Sequence, residues 1–225
     1  MHHKRPIAFL CLCFLYLLPL ASVSQAHVGL LRPCSRGSPR AGCPPVSNGQ
    51  YIDYDLNSPI GTHDIKNAPL CKQTIASATR TTVQAGQDLK TEYSIGATHG
   101  GGHCQWALSY DNGKTWVVLK TLIRRCLQNA SASYSVDVPI PKNAPNGKAI
   151  FMWLWNNAIG DRELYSNCAD ITIKGGVNGG SLKGVAPLIA NYGNSSLLIP
   201  EFGSPGQDDK HEAFAQRKSV TVSVC

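Results

Sequence analysis

The sequence predicts an all-β fold: an antiparallel β-sandwich of the immunoglobulin or fibronectin-III kind, with long loops and a Gly/Pro-rich C-terminal tail. Three observations carry that expectation. Between 81 and 173, short apolar or alternating runs recur with turn chemistry between them. No stretch shows the i, i+3, i+4, i+7 spacing of a long amphipathic helix. The cysteines are spread as in a disulfide-stapled domain of an oxidising compartment.

In chain order, 1–26 reads as a secretory signal peptide to be left out of the fold. His2, His3, Lys4 and Arg5 open it, and 7–20 is an apolar run too short to span a bilayer comfortably. Ser24 and Ala26 are the small residues a signal peptidase prefers, so cleavage after Ala26 is expected, giving a secreted, extracellular chain with no membrane attachment. Loss of Lys4 and Arg5 lowers the formal charge of +7 by two, to +5. No Lys/Arg block stands out, which argues against nucleic-acid binding.

The mature chain begins irregularly. Residues 34–45 are rich in Ser, Gly, Pro and Arg, and a Cys34–Cys43 bridge would close them into a small lobe. Residues 51–70 also read as loop. Strands follow at 88–95, 105–110, 115–123, 134–140, 148–156 and 163–173. Asp111-Asn112-Gly113 is a strong hairpin signal between the second and third of these. The 134–140 run alternates through Tyr134, Val136, Val138 and Ile140, as a strand with one buried face does. The core of the sandwich is expected over about 71–175. Beyond it, 176–225 reads as a partly disordered extension in which Leu188-Ile189 and Leu197-Leu198-Ile199 could pack back. Seven cysteines outside the leader allow three bridges with one left over. Asn129 and Asn194 head glycosylation sequons.

Three stretches carry chemistry. Cleavage after Ala26 would make His27 the first residue, whose α-amine and ring Nδ1 can close a chelate on one metal ion. Thr98-His99-Gly100-Gly101-Gly102-His103-Cys104 puts a second histidine on a glycine-rich loop between strands. Two imidazoles and an amine form a three-nitrogen set that suits Cu(II), with zinc a less specific occupant. The amine must lose its proton to bind, so affinity should fall in acid. Glu163 and Tyr165 lie two apart and share one face of a strand.

In this order and spacing the pieces resemble the fungal lytic polysaccharide monooxygenases of auxiliary activity family eleven. The resemblance rests on His27, Pro69-Leu70-Cys71-Lys72, His99 through Gln105, the Ser109-Tyr110-Asp111 hairpin, and Trp153 through Cys168. It implies one copper ion held by His27 and His99, with Tyr165 as axial ligand, Glu163 as the carboxylate beside it, and Ala97 crowding the other side. It implies bridges Cys71–Cys168 and Cys104–Cys126, leaving Cys34–Cys43 by proximity and Cys225 unpaired. It also implies an external reductant with O2 or H2O2 as co-substrate, and an insoluble polysaccharide, chitin first, cut by a monomeric catalytic domain over 27–175. His103 departs from the family's usual serine and could serve as a spare ligand or proton carrier. The 33–45 segment looks inserted near the active face, where Arg36 and Arg40 could reshape substrate contact.

Two rivals share these features. A non-catalytic extracellular copper-binding protein would use the same histidines without oxidising anything. A metal-free cell-wall carbohydrate-binding sandwich would use only its aromatic residues. A glycosidase is disfavoured, because Asp161 and Glu163 have no opposing carboxylate in view.

Overall fold

The computed structural model describes residues 27–46, 49–194, 197–203 and 208–224. The leader, Cys225 and Ser195-Ser196 of the second sequon lie outside them.

The strands are β1 (Val28–Arg32), β2 (Gly61–Thr62), β3 (Ile65–Lys66), β4 (Thr81–Gln84), β5 (Asp88–Ile95) and β6 (Gly102–Ser109). After them come β7 (Val117–Cys126), β8 (Tyr134–Pro139), β9 (Gly147–Asn157), β10 (Glu163–Lys174), β11 (Ser181–Val185) and β12 (Ser219–Ser223). One sheet is ordered β1-β5-β8; a second, larger one runs β3-β2-β10-β9-β6-β7, with β4 added in parallel to the end of β10, and β11 and β12 form a third, two-stranded sheet. All other pairings are antiparallel, apart from isolated bridges. The architecture is the β-sandwich that the turn-separated runs predict.

Side-chain alternation explains the core. On β9, Ala149, Phe151, Trp153 and Trp155 face inward, and on β10 Tyr165, Ala169, Ile171 and Ile173 do. Against them the smaller sheet packs Val28, Leu30, Tyr93, Val136 and Val138. The sheets are tied where Trp106 Nε1 donates to the Tyr93 hydroxyl at 2.6 Å. The intervening β9 positions Ile150, Met152 and Leu154 face outward, yet they are buried too. A strand that is apolar on both faces needs a cover on both.

That outer cover comes from segments expected to be irregular. Ile60, Ala68 and Leu70 close over it, as do Ile189 and Tyr192. Among the described residues of the extension, the two apolar runs expected to pack back do so: Ile189 against the outer face, and Leu188, Leu197 and Ile199 in a cluster of their own. Leu182 of β11 and Val222 of β12 join the main core, and Phe214, on the 3-10 helix His211–Gln216, packs with Ala190 and Ile199. The reason is apolar area: without the extension the part of the outer face under Ile189 and Tyr192 would stand in water.

Three disulfides, Cys34–Cys43, Cys71–Cys168 and Cys104–Cys126, staple the described residues. The hairpin signal at Asp111 sits in the β6–β7 connection, where Asn112 (φ 58°) and Gly113 (φ 83°) take the left-handed conformation. Asp111 Oδ1 there accepts from Ser109 Oγ and Thr115 N–H.

Two expectations about the 33–45 segment change. Arg36 does not reach a substrate face: its guanidinium is buried in a two-pronged pair with Asp170, at 2.7 and 2.8 Å. Arg40 is likewise turned inward, bonding Asn57, Ser94 and the Leu30 carbonyl.

Candidate metal centre

Strand pairing builds the site from three places in the sequence. Val28 pairs with Ile95, and the Gly96 N–H donates to the His27 carbonyl at 2.9 Å, so the start of β1 lies beside the end of β5. The chain leaving β5 crosses to the other sheet through 96–101, and His99 sits in that crossing at φ 47°. The first residues of β10 then deliver Glu163 and Tyr165 from the facing sheet.

The rings of His27 and His99 stack with centroids 5.3 Å apart and planes 16° from parallel. Tyr165 lies 5.5 Å from the first and 6.4 Å from the second, centroid to centroid. Metal-ligating atoms of His27, His99 and Glu163 lie within 4.8 Å of one another. His99 Nε2 is buried without a hydrogen-bond partner among the described residues. An orphaned imidazole nitrogen is costly unless something outside the protein satisfies it.

Glu163 is 7% exposed, and its Oε2 accepts a 2.6 Å bond from the Tyr165 hydroxyl. Burial, then this bond and the Glu163 charge, push the phenol far above its ordinary range, so it stays protonated. Burial pulls the His99 ring below the usual histidine value, and neighbouring His27 adds to that against the opposing pull of Glu163. A neutral imidazole is the form that binds metals.

Trp155, which lies within the expected 148–156 strand, forms the floor. It is fully buried, 4.4 Å from Tyr165 and 6.0 Å from His99 by centroids, and its Nε1 donates to the Gly101 carbonyl at 3.1 Å. Its inward parity on β9 was the available signal. Ala97 is exposed on the same loop as His99, two residues earlier. Asn129 and Asn194 are both exposed.

His103 is not part of this group. It belongs to β6 rather than to the loop, and strand alternation turns it to the face opposite Cys104. There Nε2 meets the Asp209 carbonyl at 2.9 Å and Nδ1 accepts the Arg124 N–H at 3.1 Å. Phe202 and Phe214 flank the ring at 4.7 and 4.9 Å. With both nitrogens engaged, this imidazole is a fastener for the extension. Neither nitrogen is spare for a ligand or a relay.

No family model matches the chain. Among curated proteins it is 36% identical over 184 residues to AA11 family lytic polysaccharide monooxygenase A of Aspergillus fumigatus, covering 80% of each chain. It is 33% identical over 170 residues to AA11 family lytic polysaccharide monooxygenase B of the same species, covering 69% of this chain and 38% of that longer one. Among solved structures, a cellulose-active polysaccharide monooxygenase from M. thermophila superposes with a TM-score of 0.44 at 12% identity, over 78% of this chain and 86% of that one. A superposition that loose has no bearing on the site.

Proposed function

The chain belongs to the AA11 family of lytic polysaccharide monooxygenases, and on that premise we propose that it is secreted and oxidatively cleaves chitin or a related insoluble polysaccharide using one copper ion. The observation that carries this reading is the unpartnered, buried His99 Nε2 facing a stacked His27, with Glu163 in ligating reach. Cleavage after Ala26 would add the α-amine of His27 to the two rings, completing a donor set whose chemistry fits copper. In this reading 27–175 is the catalytic unit and 176–225 its cover.

His27 and His99 would hold the ion, and the Tyr165 hydroxyl would stand beside it. When bound, copper supplies the redox chemistry: reduced by an external donor, it activates O2 or H2O2 for hydroxylation of a carbon at the glycosidic bond. The protein's own contribution is geometric and protonic. Trp155 fixes the separation of His99 and Tyr165 by filling the space under both. Burial, with Glu163, keeps Tyr165 neutral, and Glu163 through its remaining oxygen can hold or return a proton at the reacting face. The neutral phenol adds no negative charge of its own to the site.

N-terminal sequencing of the secreted protein with metal analysis tests the first half of the reading: His27 at the terminus and one copper per chain. An ascorbate-driven assay on chitin, cellulose and wall glycans, read by mass spectrometry, tests the second. Tight copper binding with no oxidised oligosaccharide from any of them would turn the assignment to a copper-holding wall protein.

A further inference from the structure

The backbone around His99 is set by a second loop, 157–162, which lies against it. The Ile159 N–H donates to the His99 carbonyl at 2.9 Å, and the Ala158 N–H to the Gly101 carbonyl at 2.8 Å. Gly160 runs so close beneath the ring that an added Cβ would stand 3.2 Å from His99 Nδ1. The loop is braced from within. The Asn157 amide bonds the Ile159 and Asp161 carbonyls at 3.0 and 2.8 Å, and Arg162 reaches back to the Gly160 and Asn157 carbonyls at 2.9 and 3.2 Å.

Two further loop groups are met from a remote part of the chain. The Gly160 N–H donates to Glu201 Oε1 at 2.9 Å, and the Ala158 carbonyl accepts the Phe202 N–H at 2.9 Å. Glu201 arrives from a firm anchor, because Ile199 is fully buried and exchanges two bonds with the Asn191 side chain. Further along, the Asp209 carbonyl is fastened to His103. A carboxylate accepting a backbone N–H is among the stronger bonds available at a loop tip.

From this geometry we propose that Glu201 and Phe202 of the C-terminal extension are positioning residues for the metal centre, holding 157–162 against the His99 loop and so setting how firmly His99 grips the ion. The proposal rests on the copper reading above. It gives the extension a role beyond covering the sheet: the catalytic unit is completed by residues outside 27–175.

Three variants separate this from simple structural support. Glu201→Ala removes the acceptor, Glu201→Gln keeps an oxygen for Gly160, and Arg217→Ala loosens the extension where it bonds Gln105 and Thr121, away from the loop. Amide exchange at Gly160 is measured in metal-free protein, and copper affinity and the Cu(II) electron-paramagnetic spectrum in loaded protein. For Glu201→Ala, exchange at Gly160 should rise about tenfold and copper binding weaken about fivefold, with an altered spectrum. Glu201→Gln should restore most of both, and Arg217→Ala should change neither. Wild-type exchange and affinity in Glu201→Ala, or the same losses in Arg217→Ala, overturn the proposal. Should wild-type protein bind no copper, the copper reading falls, and exchange at Gly160 with the His99 ring shifts alone decides the clamp.

Discussion

At the residue scale, the site depends on groups whose surroundings leave little freedom. Tyr165 and Glu163 are such a pair: the hydroxyl donates to the carboxylate, which is nearly buried. Replacing Tyr165 by Phe leaves that carboxylate without its donor, so a loss of about 1–3 kcal/mol is expected in urea denaturation. An unchanged midpoint would mean that water supplies the missing bond. Gly160 is as constrained for a different reason. At φ 94° it adopts a conformation side chains avoid, and its Cβ would press on His99. Gly160→Ala should cost about 1–3 kcal/mol from backbone strain and weaken copper binding by displacing the ring. If titration with copper gives the wild-type constant, the ring is not held from below.

At the scale of elements, β9 and β10 organise everything else. Their inward residues make the core and the floor of the site, and their outward residues require the loops and the extension. The Cys71–Cys168 bridge ties the outer cover to β10 across 97 residues, whereas Cys34–Cys43 spans only 9. Loop-closure entropy then predicts unequal losses: about 4–5 kcal/mol for removing the long-range bridge and about 2–3 kcal/mol for the local one. Equilibrium unfolding of the two paired Cys→Ala variants measures this. Equal losses would show that the unfolded chain keeps 71 near 168 without the bond.

At the scale of the whole molecule, the fastening of the extension should depend on pH. Asp209 accepts at its carbonyl from His103 Nε2, and Arg124 donates to Nδ1, an arrangement that only the neutral ring satisfies. Burial holds His103 below its ordinary value of 6.5, although the Asp209 backbone and charge pull the other way, while Arg124 and His211 add to the lowering. The unfolded chain therefore takes up a proton that folded His103 resists. Its stabilising effect is complete above about pH 6.5 and is lost as pH falls below it, by at most about 1.4 kcal/mol per unit. His103→Gln should give a shallower decline of thermal midpoint between pH 6.5 and 5. Asp209 adds a second acid-sensitive element: burial opposes its charge, but hydrogen bonds from Arg124 and His211 outweigh it and hold the carboxyl well below the carboxylate range. Its contribution persists above its unfolded value and disappears only in strong acid.

By itself the sequence determined the periodic features, six strands of the sandwich from their alternation and turns, and singled out His27 and a glycine-flanked His99, whose rings stack in the fold. Those signals are local, carried by neighbours a few residues apart. Tertiary structure alone decided which face each strand residue meets. It sent His103 to the outer face and Arg36 to Asp170, put Trp155 under the histidines, and turned a Gly- and Pro-rich tail into a packed cover that reaches Gly160 through Glu201. None of these could be read from composition, because each depends on a partner 40 or more residues away and on apolar area that must be covered whatever the covering segment looks like.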